Sequence, residues 1–249
     1  MNDTRVMARL RYRINRLTGF DLVRFSGSHT LRSHLHALLA HYRIDCVIDV
    51  GANEGGYGMF LRELGYTGRI CSFEPVPSAF RKLSAAASRD PFWEVFGFAL
   101  GSRSGSAILH VSEFSQMSSF LPASEYGLRN WSNLRVASEE TVAVRTLADC
   151  FDAGLVPKNG RILLKMDTQG YDLEVFRGCG THLAAITCLQ SEMSLIPLYQ
   201  GMPDFSEALD VYRAAGFEVA GFFPITRNDA MALNEVDCTL VNPLAASRA

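Results

Sequence analysis

The stretch Cys46-Val47-Ile48-Asp49-Val50-Gly51-Ala52-Asn53-Glu54-Gly55 constrains this chain more than any other. A short apolar run passes into a turn with glycines at 51 and 55, and Tyr57–Leu64 continues with helical spacing. Strand, glycine turn and helix in that order form the opening unit of a parallel sheet. The pattern then repeats. Strands are expected at Arg69–Glu74, Trp93–Ala99, Ile162–Met166 and Ile186–Gln190, with Pro77–Ala87 helical. Near the end a helix over Phe205–Ala215 stops at Gly216, and Phe217–Phe222 and Val236–Val241 read as a hairpin. Apolar strands separated by helices are covered on both faces. The expected fold is therefore α/β: a Rossmann-like, doubly wound, mostly parallel sheet with a C-terminal antiparallel hairpin.

Two regions depart from that rhythm. Residues 101–140 form a long connection in which Ile108–Val111 and Thr141–Val144 are candidate short strands. Between them, residues 112–138 carry Phe114, Phe120, Tyr126 and Trp131, too many aromatics for a bare linker, and read as a lid over a site. The N-terminal residues 1–43 form a helical extension. Arg5, Arg9, Arg13 and Arg16 make one stripe of a helix over 5–17, with Val6, Leu10, Ile14 and Leu17 beside them. Residues 1–24 hold six arginines against Asp3 and Asp21. Such a helix can lie on an anionic membrane surface with its charges snorkelling outward, so peripheral membrane contact through residues 5–17 is one expectation. A second amphipathic helix spans Leu31–Tyr42, where His34, His36 and His41 read as solvated. The sheet domain occupies 44–242, and 243–249 form a tail.

The 249 residues are 48% hydrophobic and 20% charged, with a net charge of −2. That balance gives no bulk attraction to nucleic acid, so none is expected as a partner. Cysteines 46, 71, 150, 179, 188 and 238 include no C-x-x-C pair. They read as buried thiols, which points to a reducing, cytoplasmic setting, with the inner membrane surface as the alternative that the N-terminal helix leaves open.

The first turn carries the chemistry. Glycines 51 and 55 let backbone approach a ligand, and Asn53 tolerates a left-handed conformation. A dinucleotide fingerprint would need glycine where Asn53 stands, and no phosphate-loop lysine follows. Asp49 instead suits the amino group of a methionine moiety. Glu74, 25 residues after Asp49, ends the second strand, where a carboxylate accepts the hydroxyls of an adenosine ribose. Together these features point to S-adenosylmethionine.

The segments Ile48–Gly55, Phe73-Glu74-Pro75, Ala99-Leu100-Gly101, Lys165-Met166-Asp167-Thr168-Gln169-Gly170-Tyr171-Asp172, Leu189-Gln190-Ser191-Glu192, Pro197–Gly201 and Ala215-Gly216-Phe217 together resemble the FkbM-type methyltransferases. The Arg-striped N-terminus, taken by itself, resembles the actinobacterial branch acting on deoxysugars of cell-wall glycolipids. The resemblance implies the class I methyltransferase architecture and cofactor contacts at Asp49, Gly51, Asn53, Gly55, Glu74 and Ala99, the last near the adenine. It also implies methylation of a hydroxyl on a small molecule, a sugar or glycolipid. The family carries Glu where this chain has Gln169 and Asp172.

Asp167 and Glu192 follow the expected fourth and fifth strands, at the sheet edge where ligands sit. A hydroxyl must lose its proton or bind a cation before it attacks, so the two carboxylates serve as a base or hold an ion. Oxygen ligands would select magnesium. Gln169 removes a third anionic ligand and turns the reading toward base catalysis by Asp167 without metal. Lys165 either positions the acceptor or pairs with a carboxylate. The rival readings are an NAD-dependent sugar oxidoreductase, which lacks a Tyr-x-x-x-Lys pair here, and a cofactor-binding module without activity.

Overall fold

The computed structural model describes residues 3–19 and 30–246. Two sheets organise it. Strands β1 (Cys46–Val50), β2 (Arg69–Phe73), β3 (Trp93–Phe96), β7 (Ile162–Met166), β8 (Ile186–Ser194), β9 (Glu218–Arg227) and β10 (Leu233–Val241) form a seven-stranded sheet in the order β3-β2-β1-β7-β8-β10-β9. The first five run parallel, while β10 is antiparallel to both β8 and β9. This is the doubly wound class expected from the sequence, closed by the expected hairpin. Strands β4 (Ala99–Leu100), β5 (Gly105–Ser112) and β6 (Val136–Arg145) form a second, three-stranded sheet in the order β4-β6-β5.

Every residue of β1 and β7 is buried, as central parallel strands covered on both faces must be. On one face the core joins Ile48, Phe73, Phe151, Leu164, Phe176 and Tyr212. On the other, Val47, Leu61, Ile70, Leu83 and Leu163 meet Leu35, Leu38 and Leu39 of α2 (Leu31–His41). The start of α2 is fixed by Thr30, whose hydroxyl accepts from the Ser33 amide while Ser33 Oγ accepts from the Thr30 amide. Helices α3 (Gly56–Glu63) and α4 (Pro77–Ala87) follow β1 and β2, and Pro77 opens α4 where its missing N–H is no loss. Helices α6 (Leu147–Asp152), α7 (Asp172–Arg177) and α8 (Phe205–Ala214) cover the sheet further along the chain.

Several boundaries differ from expectation. The third strand ends at Phe96, not Ala99. The chain turns there because Phe98 folds back onto Phe73 and Phe96, with ring centroids 5.5 and 6.0 Å away, and Ala99 enters the second sheet beside Val144. The two candidate short strands of the long connection are the full-length hairpin β5–β6. The strand expected to end at Gln190 continues to Ser194, because β10 keeps supplying antiparallel partners beyond the parallel part of the sheet. His34 is not solvated: it bonds Thr239 Oγ1 at 3.0 Å and packs on Phe223. All six cysteines are free and buried.

Helix α1 spans Asp3–Thr18, close to the expected 5–17. Among its residues whose side chains are described, Leu10 and Leu17 are exposed and Ile14 is half-buried. The side chains of Arg5, Val6 and Arg9, residues 20–29 with Asp21 and Arg24, and the end of the tail lie outside the described residues. Among the described residues no helix is long and apolar enough to cross a membrane.

Candidate active site

The strand order reverses between β1 and β7, and a cavity of about 800 Å³ opens beyond their carboxyl ends. A topological switch point of this kind is where open α/β sheets take ligands. Its walls come from the turn 50–54, Glu74, Val76, Ala99, Asp167, Gln169 and residues of β8, β9 and β10. Ser115, Met117, Phe120 and Trp131 of the long connection lie across it. That segment contains α5 (Glu125–Asn130) and is anchored by Leu134 packed with Leu198 and Tyr199. Ser115 Oγ also donates to Asn53 Oδ1 at 2.8 Å. Residues of the 112–138 stretch therefore line the cavity, and one of them bonds directly to the first turn.

The first turn is built by close backbone contacts. Gly51 has φ +76, and a Cβ there would stand 1.9 Å from the Asp167 carbonyl oxygen. A Cβ on Gly55, φ +92, would meet Leu83 and Trp93 at 3.2 and 3.3 Å. Both glycines were expected to make room for a ligand. The structure shows that the space of a side chain is taken by the end of β7 at one and by α4 and β3 at the other. Asn53 has φ +46, the left-handed conformation expected for it.

Glu74 is the anchor of this half. Its Oε2 accepts from the Asn53 amide at 2.8 Å and its Oε1 from the Val76 amide at 2.7 Å. Burial pushes its pKa up to about 7, against the pull of those two amides and of Lys165. A carboxylate has lone pairs left after two such bonds, so both oxygens can still accept a hydroxyl. Ala99 is buried on the wall nearby.

Asp49 lies beneath the cavity rather than on its wall. It is fully buried, accepts from Ser72 Oγ at 3.0 Å and faces Lys165 Nζ at 3.1 Å. Its expected contact with an amino group gives way to a buried ion pair, because β1 and β7 put Asp49 and Lys165 side by side in register. Lys165 also donates to the Gly51 carbonyl at 3.2 Å and lies 3.6 Å from Asp167 Oδ2. Burial alone would lower the ammonium's pKa, but Asp49 and Asp167 outweigh it and hold the charge. Of the two roles open to Lys165, pairing with carboxylates is the one observed.

Asp167 follows β7 with its side chain about a third exposed to the cavity. Gln169, φ +54, donates from Nε2 to Asp167 Oδ1 at 3.0 Å and to Glu192 Oε1 at 3.1 Å. Glu192 thus joins Asp167, though from within β8 rather than from its end. Asp237 sits opposite Glu192 on β10, and Glu235 is two residues away. Burial and the neighbouring carboxylates push the pKa of Glu192 well up. Burial does the same for Glu235 and Asp237. Gln190 donates to Asp237 at 2.9 Å and accepts from Tyr57 at 2.7 Å, and Thr226 donates to Glu235 at 2.8 Å. Sequence reasoning missed Glu235, Asp237, Gln190 and Tyr57 as site residues. The alternation of polar side chains along 233–241 was the only signal for the first two. Asp172, by contrast, accepts from the Thr168 amide and hydroxyl and from Ser191, and holds the turn together.

A switch-point cavity with a strand-end carboxylate and a glycine turn is the ligand site of a Rossmann-like α/β domain. The chain belongs to the FkbM family: the methyltransferase FkbM domain matches residues 49–219. Its cofactor is S-adenosylmethionine. A search of the curated proteins returns no match. Solved structures similar in fold include magnesium protoporphyrin IX methyltransferase from Synechocystis PCC 6803, at 10% identity and a TM-score of 0.47, covering 85% of this chain and 77% of that one. Aeropyrum pernix fibrillarin matches at 10% identity and a TM-score of 0.45, covering 79% of this chain. The chain spans 66% of that fibrillarin's length. An rRNA methylase from Streptococcus thermophilus matches at 12% identity and a TM-score of 0.43, covering 84% and 95%.

Proposed function

We propose that the protein transfers a methyl group to a hydroxyl of a small polyhydroxylated acceptor, a sugar or the sugar of a glycolipid, with Asp167 as general base. The observation that carries this reading is the position of Asp167. It stands on the cavity wall between the first turn with Glu74 and a recess walled by Gln190, Glu192, Glu235 and Asp237.

The residues of the first half fit the cofactor. Glu74 keeps accepting lone pairs for the ribose, Ala99 and Val76 offer apolar wall for a base, and Asn53 and Gly51 expose turn backbone. Asp49 acts through Lys165, whose ammonium braces the turn carbonyl. When bound, the cofactor supplies an electrophilic methyl on a sulfonium and leaves as the thioether. Asp167 takes the acceptor's proton as the oxygen–carbon bond forms, which keeps charge from building on the oxygen. The segment bearing Met117, Phe120 and Trp131 excludes water that would compete as acceptor.

Carboxylates and side-chain amides on the acceptor side suit hydroxyl groups, which both donate and accept. A phosphodiester backbone would meet like charge there, which supports a small molecule over nucleic acid. Peripheral membrane contact through α1 belongs to the same proposal: exposed Leu10 and Leu17 beside arginines 11, 13 and 16 suit an anionic surface.

The test is incubation with methyl-labelled S-adenosylmethionine and a lipid or sugar extract, followed by mass spectrometry. Label on a sugar oxygen is the expected outcome. Label on nitrogen or on RNA would overturn the acceptor assignment.

A further inference from the structure

Two carboxylates, Asp167 and Glu192, converge on one point of the cavity wall, and the group between them is not a cation. It is the side-chain amide of Gln169, which gives one N–H to each, at 3.0 and 3.1 Å. The other end of that amide is held as well. Tyr199, buried, puts its hydroxyl 2.8 Å from Gln169 Oε1 and 2.9 Å from the Met117 carbonyl oxygen, and its one proton is shared between these two acceptors. The amide nitrogen gives both of its N–H groups to carboxylate oxygens, which turns the amide oxygen toward the Tyr199 hydroxyl. The backbone is fixed too: Ser119 Oγ donates to the Gln169 carbonyl at 2.7 Å. Gln169 sits at φ +54, a left-handed conformation that is strained for a residue with a Cβ. A buried side chain whose every polar atom is committed, on a backbone held in an uncommon conformation, is a feature the surrounding structure has been arranged to keep.

We propose that Gln169 is a positioning residue for methyl transfer: as an uncharged bridge it does what a cation would do between Asp167 and Glu192, and holds the Asp167 carboxylate toward the acceptor oxygen. This rests on the reading of Asp167 as the base. With Lys165 near Oδ2 and Gln169 on Oδ1, each oxygen of Asp167 has one neighbour and the carboxylate cannot swing away. Asp167, Glu192 of β8 and Tyr199 bond the Gln169 side chain, and the titratable groups around these are Lys165 of β7, Asp172 at the start of α7, and Glu235 and Asp237 of β10.

The experiment compares wild type with Gln169→Glu and Tyr199→Phe, using labelled S-adenosylmethionine and the extract that yields product, with EDTA throughout so that no adventitious ion fills the gap. Gln169→Glu keeps size and shape but replaces the bridging amide donor with a carboxyl group against Asp167 and Glu192. We expect a fall in kcat at neutral pH on the order of tenfold or more, with cofactor affinity within about twofold of wild type. The acid limb of the rate profile should move up by at least about half a pH unit, which a merely structural role would not cause. Tyr199→Phe removes only the orienting hydroxyl and should cost on the order of threefold in kcat. A Gln169→Glu profile that superimposes on wild type overturns the proposal. If that variant does not fold, wild-type turnover by Tyr199→Phe overturns it instead. Asp167→Asn separates the two readings. Full activity of that variant sinks the base assignment, whereas its inactivity beside an unaltered Gln169→Glu sinks only the role of Gln169.

Discussion

The two halves of the cavity, the one we assign to the cofactor and the one we assign to the acceptor, are built in different ways. The cofactor half comes from the ends of adjacent parallel strands and the turns that leave them: 50–54 after β1 and Glu74 after β2. Its polar atoms are bound mostly by backbone amides, as with Glu74 on Asn53 and Val76. The acceptor half comes from Asp167 and Gln169 after β7 and from side chains projecting off β8 and β10 in their antiparallel stretch. There side chain meets side chain, in Gln169 with Asp167 and Glu192 and in Tyr57 with Gln190 and Asp237. Backbone-held groups serve a ligand that never changes, and side-chain networks can be rewritten for a new acceptor without moving a strand.

The sharpest way to break this division is Asp167→Asn. If Asp167 serves only the acceptor half, the variant binds S-adenosylmethionine as wild type does and loses roughly 10²–10⁴-fold in kcat. Single-turnover kinetics beside calorimetry measures both, and loss of cofactor affinity would erase the boundary between the halves. Glu74→Ala is the converse. It should weaken cofactor binding by about 2–4 kcal/mol, because hydroxyl donors lose a charged acceptor, with acceptor KM little changed at saturating cofactor.

A smaller effect follows from pH. Burial raises the pKa of Glu74 to about 7, and ribose hydroxyls favour its ionised form. A proton therefore competes with cofactor. Affinity should fall severalfold between about pH 8 and 6, at most about tenfold per pH unit, and the dependence should vanish in Glu74→Gln. The folded protein without cofactor has the opposite preference. A raised carboxyl pKa stabilises the fold at low pH, and that contribution is lost as pH rises through 7. Calorimetry in buffers of different ionisation enthalpy would detect the proton released on binding.

The smallest effect lies outside both halves. Removing residues 1–24 should lower flotation with vesicles containing anionic lipid and leave turnover on a soluble sugar acceptor unchanged. Equal flotation of the two forms would leave α1 no role at a membrane.

The sequence by itself determined the doubly wound sheet and the switch-point turn, and it marked Glu74 and Asp167 as candidates. Each is a local signal: an apolar strand of four or five residues, and one carboxylate or glycine within a few positions of its end. It also showed the long connection as a covering segment, since its aromatics had to pack somewhere. Only the tertiary structure decided that Asp49 meets Lys165 rather than a ligand, because two strands far apart in the chain had to be brought into register first. The same holds for Gly51, whose missing side chain makes way for a carbonyl 116 residues later in the chain. Glu235, Asp237 and Glu192 share one wall only because β10 runs antiparallel to β8 with Asp237 opposite Glu192. A shift of one residue in that pairing would turn them to the other face, and nothing local to either strand fixes it.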